Sequence, residues 1–150
     1  LILKEKTFCE KIEFAFEKAS QNDYLITLGI QPTRPDTGYG YIQFSDEKSA
    51  EICKVKTFTE KPNLETAEKF LATKEYLWNA GIFIWNVKSI QKAFENYLPK
   101  MAEQFKTETY NTEKEAPYIE DIYPNVEKIS IDNGILEKAD NVYVIPADLV

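Results

Sequence analysis

The segment Tyr24-Leu25-Ile26-Thr27-Leu28-Gly29-Ile30 is nearly continuous in apolar and β-branched residues. That is the pattern of a strand buried on both faces. Immediately before it, Phe8, Ile12, Ala15, Phe16 and Ala19 recur at spacings of three and four, which predicts an amphipathic helix over residues 7–21. Thr7-Phe8-Cys9-Glu10 has the Ser/Thr-x-x-Glu form of a capping box for its start. A helix feeding a doubly buried strand points to α/β architecture. The 150 residues suit one domain, which at this length buries roughly two thirds of its unfolded surface.

The remaining elements follow the same logic. Residues 31–40 hold Pro32, Pro35, Gly38 and Gly40 and form a loop at the carboxyl end of the first strand, the place where open α/β sheets bind ligands. It matches neither GxGxxG nor GxxxxGK, so it is not a phosphate loop of those kinds. Residues 41–44 and 52–59 are predicted strands joined by a polar turn over 45–49. Asn63 is a suitable N-cap for a helix over 64–72, and an apolar strand follows over 76–86. Helices are expected over 87–97 and 100–108, a helical turn over 116–123, and a short helix over 131–138 capped by Ser130. A final strand covers 142–145.

Composition removes several classes of function. The formal charge is −7 with no basic block, which argues against a nucleic-acid backbone or an anionic membrane surface as partner. A small anion held by one or two local cations is compatible with this charge; Arg34 is the only arginine. With no histidine, Ser-His and Cys-His nucleophile systems are excluded within the chain. Cys9 and Cys53 lack metal-type spacing and are expected to be two buried thiols of a reduced, intracellular protein. No apolar run approaches the ~20 residues of a membrane span. The chain starts without methionine and stops just after a strand, so it is expected to be an excerpt of a longer polypeptide.

The residues with chemistry to offer are few. Glu60-Lys61 stands at the end of the strand over 52–59, before Pro62, which disfavours helical geometry in the residue ahead of it. Both residues are therefore expected in an extended strand end. An acid that accepts hydroxyl protons beside a cation that neutralises an anion suits a phosphorylated sugar or polyol; the alternative is a solvated strand end. Gly38 and Gly40, on either side of Tyr39, would let backbone amides approach a ligand, or simply turn the chain into a strand. Asn79, two residues before Gly81 in an apolar segment, needs either backbone partners, as in a bulge, or a ligand.

Taken in order, Pro32-Thr33-Arg34-Pro35-Asp36-Thr37-Gly38-Tyr39-Gly40-Tyr41-Ile42, Phe58-Thr59-Glu60-Lys61-Pro62, Trp78-Asn79-Ala80-Gly81-Ile82-Phe83, and Ser130-Ile131-Asp132 with Glu137-Lys138 resemble bacterial mannose-1-phosphate guanylyltransferases. These are the GDP-mannose pyrophosphorylases of the sugar nucleotidyltransferase superfamily. The resemblance covers essentially the whole chain, and its most specific part is Pro32 to Ile42. It implies a three-layer α/β/α, Rossmann-like fold with a mixed sheet, of which residues 1–150 are a single partial domain, the sugar-phosphate-binding portion. Glu60 would hydrogen-bond sugar hydroxyls, and Lys61 would be the catalytic cation on the phosphate of mannose 1-phosphate. Gly38, Tyr39, Gly40, Asn79 and Gly81 would line the sugar pocket, with Asp132, Glu137 and Lys138 contributing from the later signature.

The implied reaction is attack by a sugar-phosphate oxygen on the α-phosphorus of GTP with release of pyrophosphate. Such a transfer works by positioning and charge neutralisation and needs no histidine. Mg2+ is implied, with ligands outside this chain, as is GTP held mostly by residues outside it. The resemblance further implies a cytoplasmic location, leaves room for a homodimer of the intact protein, and leaves the chain inactive alone. A sister enzyme acting on glucose 1-phosphate, or a non-catalytic sugar-phosphate-binding module, are the alternatives.

Overall fold

The computed structural model describes residues 2–45 and 50–149. The order of elements is α1 (Glu5–Gln21), β1 (Leu25–Ile30), β2 (Tyr41–Phe44), β3 (Cys53–Thr59), α2 (Leu64–Thr73), β4 (Tyr76–Ile84), α3 (Val87–Tyr97), α4 (Pro99–Gln104), α5 (Glu115–Ile122), a 3-10 turn (Tyr123–Asn125), a π-helical turn (Asp132–Leu136) and β5 (Val142–Pro146). Most of the turn expected over 45–49 lies outside the described residues.

The sheet is mixed, as expected: β1 pairs in parallel with β5 and antiparallel with β4, and the other pairings are antiparallel. Its order is β1-β4-β2-β3-β5, and the β1–β5 ladder closes it on itself. Alternation along each strand then separates two sides. Leu25, Ile42, Phe58, Leu77 and Val144, one from every strand, share a cluster with Ala93 and Leu98 around α3 and with Ile135 and Leu136 of the π-helical turn. Ile26, Leu28, Ile84 and Ile145 point the other way and meet Ala15 and Ala19 of α1. The buried ring of Tyr41 and Trp78 pack on Ala67 of α2. Helices thus cover both sides of the sheet, and β1 is buried from Leu25 to Gly29, with Leu25, Thr27 and Leu28 fully enclosed.

Local signals decide several boundaries. Asn63 accepts from the Thr66 N–H at 2.9 Å, the cap expected for α2. Asn86 does the same for α3 through Ser89, while its amide nitrogen donates to the Ala19 carbonyl and so ties α3 to α1.

Three expectations need correction. The capping box at Thr7 and Glu10 does not start α1, which begins at Glu5 without a side-chain cap. Instead the Leu3 and Lys4 N–H groups both donate to the Leu149 carbonyl, and Lys4 pairs with Asp148, so the far end of the chain sets the start. The helix expected over 100–108 stops at Gln104. Tyr118 donates its hydroxyl to the Gln104 carbonyl and Tyr110 to that of Phe105, taking the acceptors that a further turn of helix would use. Cys9 is exposed on α1; only Cys53 is buried.

Gly29 is where the strands come closest. A Cβ built there would lie 2.6 Å from Val144 Cγ2 and 2.7 Å from Leu77 Cδ1, so β5 and β4 both occupy the space of a side chain. Gly29→Ala should destabilise the chain by about 1–3 kcal/mol, the usual cost of forcing extra volume into a packed core. A urea midpoint no lower than that of the parent, at equal slope, would overturn this.

Candidate functional site

The loop that follows β1 is organised by Asp36. Its Oδ2 accepts from Arg34 Nε at 3.0 Å and Nη2 at 2.7 Å, its Oδ1 accepts from the Gly38 N–H at 2.8 Å, and its own carbonyl accepts from the Tyr41 hydroxyl. The Gly38 N–H and, next, the Arg34 guanidinium hold the Asp36 carboxyl below the ordinary aspartate range. Arg34 lies over the Trp78 ring, 5.2 Å from its centroid, and Tyr39 packs against the same ring at 4.9 Å. Together with Asn79 they line an open cleft of about 920 Å3. The indole N–H of Trp78 is buried there without a hydrogen-bond partner among the described residues.

Glu60 and Lys61 follow directly on the last residue of β3. Their setting differs from the extended strand end predicted before Pro62: Lys61 has φ +43°, in the left-handed region that side chains with a Cβ seldom adopt. The neighbourhood imposes this turn. The Glu60 N–H donates to Glu137 Oε1 at 3.3 Å, Lys61 Nζ pairs with the Glu60 carboxylate, and Pro62 is buried behind them. The Glu60 side chain is only 16% exposed and that of Lys61 61%. The Glu60 carboxylate lies against Gly40, where a Cβ would come within 2.6 Å of Oε2. The missing side chain of Gly40 is therefore the room in which Glu60 sits.

Asn79 stands where β4 is interrupted. Between the pairs Thr27↔Phe83 and Gly29↔Asn79 the register slips, and Gly81 takes up the extra length at φ +70°. The bulge expected of Asn79 is present and has its backbone partners: Oδ1 accepts from the Gly81 N–H at 3.1 Å, and its own N–H donates to the Gly40 carbonyl. Its side chain also accepts from the Thr27 hydroxyl at 2.8 Å and donates to Asp132 Oδ1 at 3.1 Å. Asp132 opens the π-helical turn, which Ser130 begins by accepting from the Asn133 N–H.

Gly40, Glu60, Lys61, Asn79, Gly81, Asp132 and Glu137 thus form one connected group, reached from the loop after β1, the end of β3, the break in β4 and the π-helical turn. Gly38 and Tyr39 join it along the loop. Lys138 is exposed and makes no hydrogen bond or ion pair to the group among the described residues. Two organising residues were missed in the sequence. Thr27 is one hydroxyl in an apolar strand, and Asp36 sits in a loop read for its glycines. Among the described residues no three His, Cys, Asp or Glu side chains converge as a metal ion requires, so these residues alone do not fit the implied Mg2+. No described helix is long and apolar enough to cross a membrane.

A family model described as Nucleotidyl transferase matches residues 2–127. A mannose-1-phosphate guanylyltransferase of Escherichia coli is 36% identical over 155 residues, covering 99% of this chain and 33% of the relative. One from Sinorhizobium fredii is 34% identical over 133 residues, covering 87% and 26%. The chain thus spans a third or less of these relatives. Among solved structures, a Thermus thermophilus protein described as a mannose-1-phosphate geranyltransferase superposes on the whole chain, over 42% of its own length, with TM-score 0.87 and 28% identity. A Helicobacter pylori protein described as a mannose-6-phosphate isomerase shares the fold, with TM-score 0.79 over 99% of this chain and 59% of its own, at 19% identity. Matched over most of its length by the family model, and built on the fold of these neighbours, the chain belongs to the nucleotidyl transferase family.

Proposed function

We propose that this chain is the sugar-phosphate-binding portion of a cytoplasmic GTP:mannose-1-phosphate guanylyltransferase. The observation that carries the reading is the convergence of Glu60, Lys61, Asn79 and Asp132 from separate elements into one group beside the Gly38-Tyr39-Gly40 loop. The names of its relatives support the sugar and the nucleotide.

Each residue has a task suited to its chemistry. Glu60, sheltered against Gly40, accepts hydrogen bonds from sugar hydroxyls. Lys61 is exposed at its ammonium end and kept protonated by the Glu60 carboxylate, which raises its pKa; it meets the phosphate. Asn79 offers the amide hydrogen that Asp132 does not use. The bond that forms joins a phosphate oxygen of mannose 1-phosphate to the α-phosphorus of GTP, and the bond that breaks releases pyrophosphate. The chain's own residues bind and orient the attacking oxygen and neutralise its charge, which is how such transfers are accelerated. GTP contacts and the implied Mg2+ ligands would belong to residues other than these.

Charge limits the site. Glu60, Asp132 and Glu137 surround a single lysine, and burial, then the charge of Glu60, pushes the Asp132 carboxyl above the ordinary aspartate value. A carboxyl raised in the folded state favours folding below its unfolded pKa, and that contribution is lost as pH rises through the folded value. Asp132→Asn keeps an acceptor for Asn79 and removes the charge. It should raise the urea midpoint at pH 7, with the gain shrinking towards pH 4; an equal gain at both values would refute the assignment.

Titration of the chain with mannose 1-phosphate, with glucose 1-phosphate and free mannose as controls, tests the reading. Saturable binding that requires the phosphate and prefers mannose is expected; no binding by a folded chain would overturn it. Lys61→Ala should weaken binding by about tenfold or more, as loss of a charge-assisted contact does, and unchanged affinity would remove Lys61 from this role. The chain alone should yield no GDP-mannose from GTP and mannose 1-phosphate, and measurable product would contradict the division of labour proposed here.

A further inference from the structure

Thr27 is fully buried in the middle of β1, so it touches no ligand. Its hydroxyl has one hydrogen and three oxygens in reach: Asn79 Oδ1 at 2.8 Å, the Ile82 carbonyl at 3.2 Å and the Leu28 carbonyl at 3.4 Å. The shortest contact is to the Asn79 amide oxygen, and the amide's other two contacts decide which way it faces. Turning the Asn79 amide over would place its NH2 against the Gly81 N–H, donor facing donor, and its oxygen against the Asp132 carboxylate, acceptor facing acceptor. Oδ1 must therefore face Thr27 and Gly81, and Nδ2 must face Asp132. Gly81 lies in the break of β4, with open space around its Cα, whereas Thr27 is held in the most enclosed strand of the sheet. The rigid donor of the two is Thr27.

We infer that Thr27 is a positioning residue that anchors the Asn79 amide oxygen and so holds the amide in place with its NH2 towards Asp132; the consequence for binding rests on the function proposed above. The placement of the Asn79 amide and the affinity that follows from it are separately measurable.

The experiment compares Thr27→Val, which keeps the shape and loses the hydroxyl, with Thr27→Ser, which keeps the hydroxyl. Both are made in the parent chain and in Asn79→Ala. In the parent background, Thr27→Val should shift the Asn79 side-chain amide resonances in NMR spectra and weaken mannose 1-phosphate binding by about two- to tenfold, the range for one lost hydrogen bond. Thr27→Ser should restore both. In the Asn79→Ala background, Thr27→Val should cost nothing further, because the amide on which it acts is gone. Unmoved Asn79 resonances, failure of serine to rescue, or an equal loss in the Asn79→Ala background would each overturn the inference. If the parent chain does not bind mannose 1-phosphate, the functional proposal fails on that result, and the Asn79 resonances alone decide the positioning role. Should Thr27→Val not fold, Thr27→Cys, of nearly the same size with only a weak donor, is read by the same criteria.

Discussion

One amide, that of Asn79, ties β1, the break in β4 and the π-helical turn together through side-chain hydrogen bonds. Its oxygen takes the Thr27 hydroxyl from β1 and the Gly81 N–H from the break in β4, its nitrogen reaches Asp132 in the π-helical turn, and its backbone N–H holds the Gly40 carbonyl at the end of the loop. An apolar residue in its place would lose the bonds to Thr27, Gly81 and Asp132 together, each worth about 0.5–1.5 kcal/mol. The irregularity in β4 is therefore the condition for an inward-facing polar group among strands that are otherwise apolar on that side, and not a defect in a regular ladder.

Two glycines set the distances around it, for different reasons. At Gly29 the absent side chain lets β4 and β5 close on β1 through Leu77 and Val144. At Gly40 the space goes to a charge: the Glu60 carboxylate lies where a Cβ would be, turned back over the loop instead of outward to water. The next residue, Lys61, takes positive φ. A non-glycine residue in this region costs about 1–3 kcal/mol, held here by the Glu137 contact to the Glu60 N–H and by the buried Pro62.

The elements were legible because their signals are local. The unbroken apolar run gives β1, and Asn63 caps α2 through its own side chain. What was not legible depends on residues distant in the sequence. The start of α1 is set by the Leu149 carbonyl, the end of α4 by the hydroxyls of Tyr110 and Tyr118, and the closure of the sheet by β5 meeting both β1 and β3. The site was readable as separate words, Glu60-Lys61, Asn79 with Gly81, Asp132 with Glu137. Their meeting was implied only by resemblance, since nothing local brings residue 79 to residue 132. Thr27 and Asp36 escaped because a threonine in a strand and an aspartate in a loop are ordinary residues until their partners are known.

The cations in this region explain how an acidic chain could discriminate for a phosphate. Arg34 is held by Asp36 and Lys61 by Glu60, so neither waits as an unpaired charge. Both pairs are largely open to water on the cationic side, where an ion pair contributes little net stability. Exchanging a carboxylate partner for a phosphate therefore costs little, and the phosphate brings more acceptor oxygens than the carboxylate it replaces. On the proposed function, a free sugar would have no charge with which to displace Glu60 from Lys61 and would meet a closed pair. In the proposed reading, the carboxylates do more than hold sugar hydroxyls. By occupying the cations until a stronger anion arrives, they make recognition depend on phosphate and sugar together, and the same exchange frees Glu60 to turn its oxygens to the sugar.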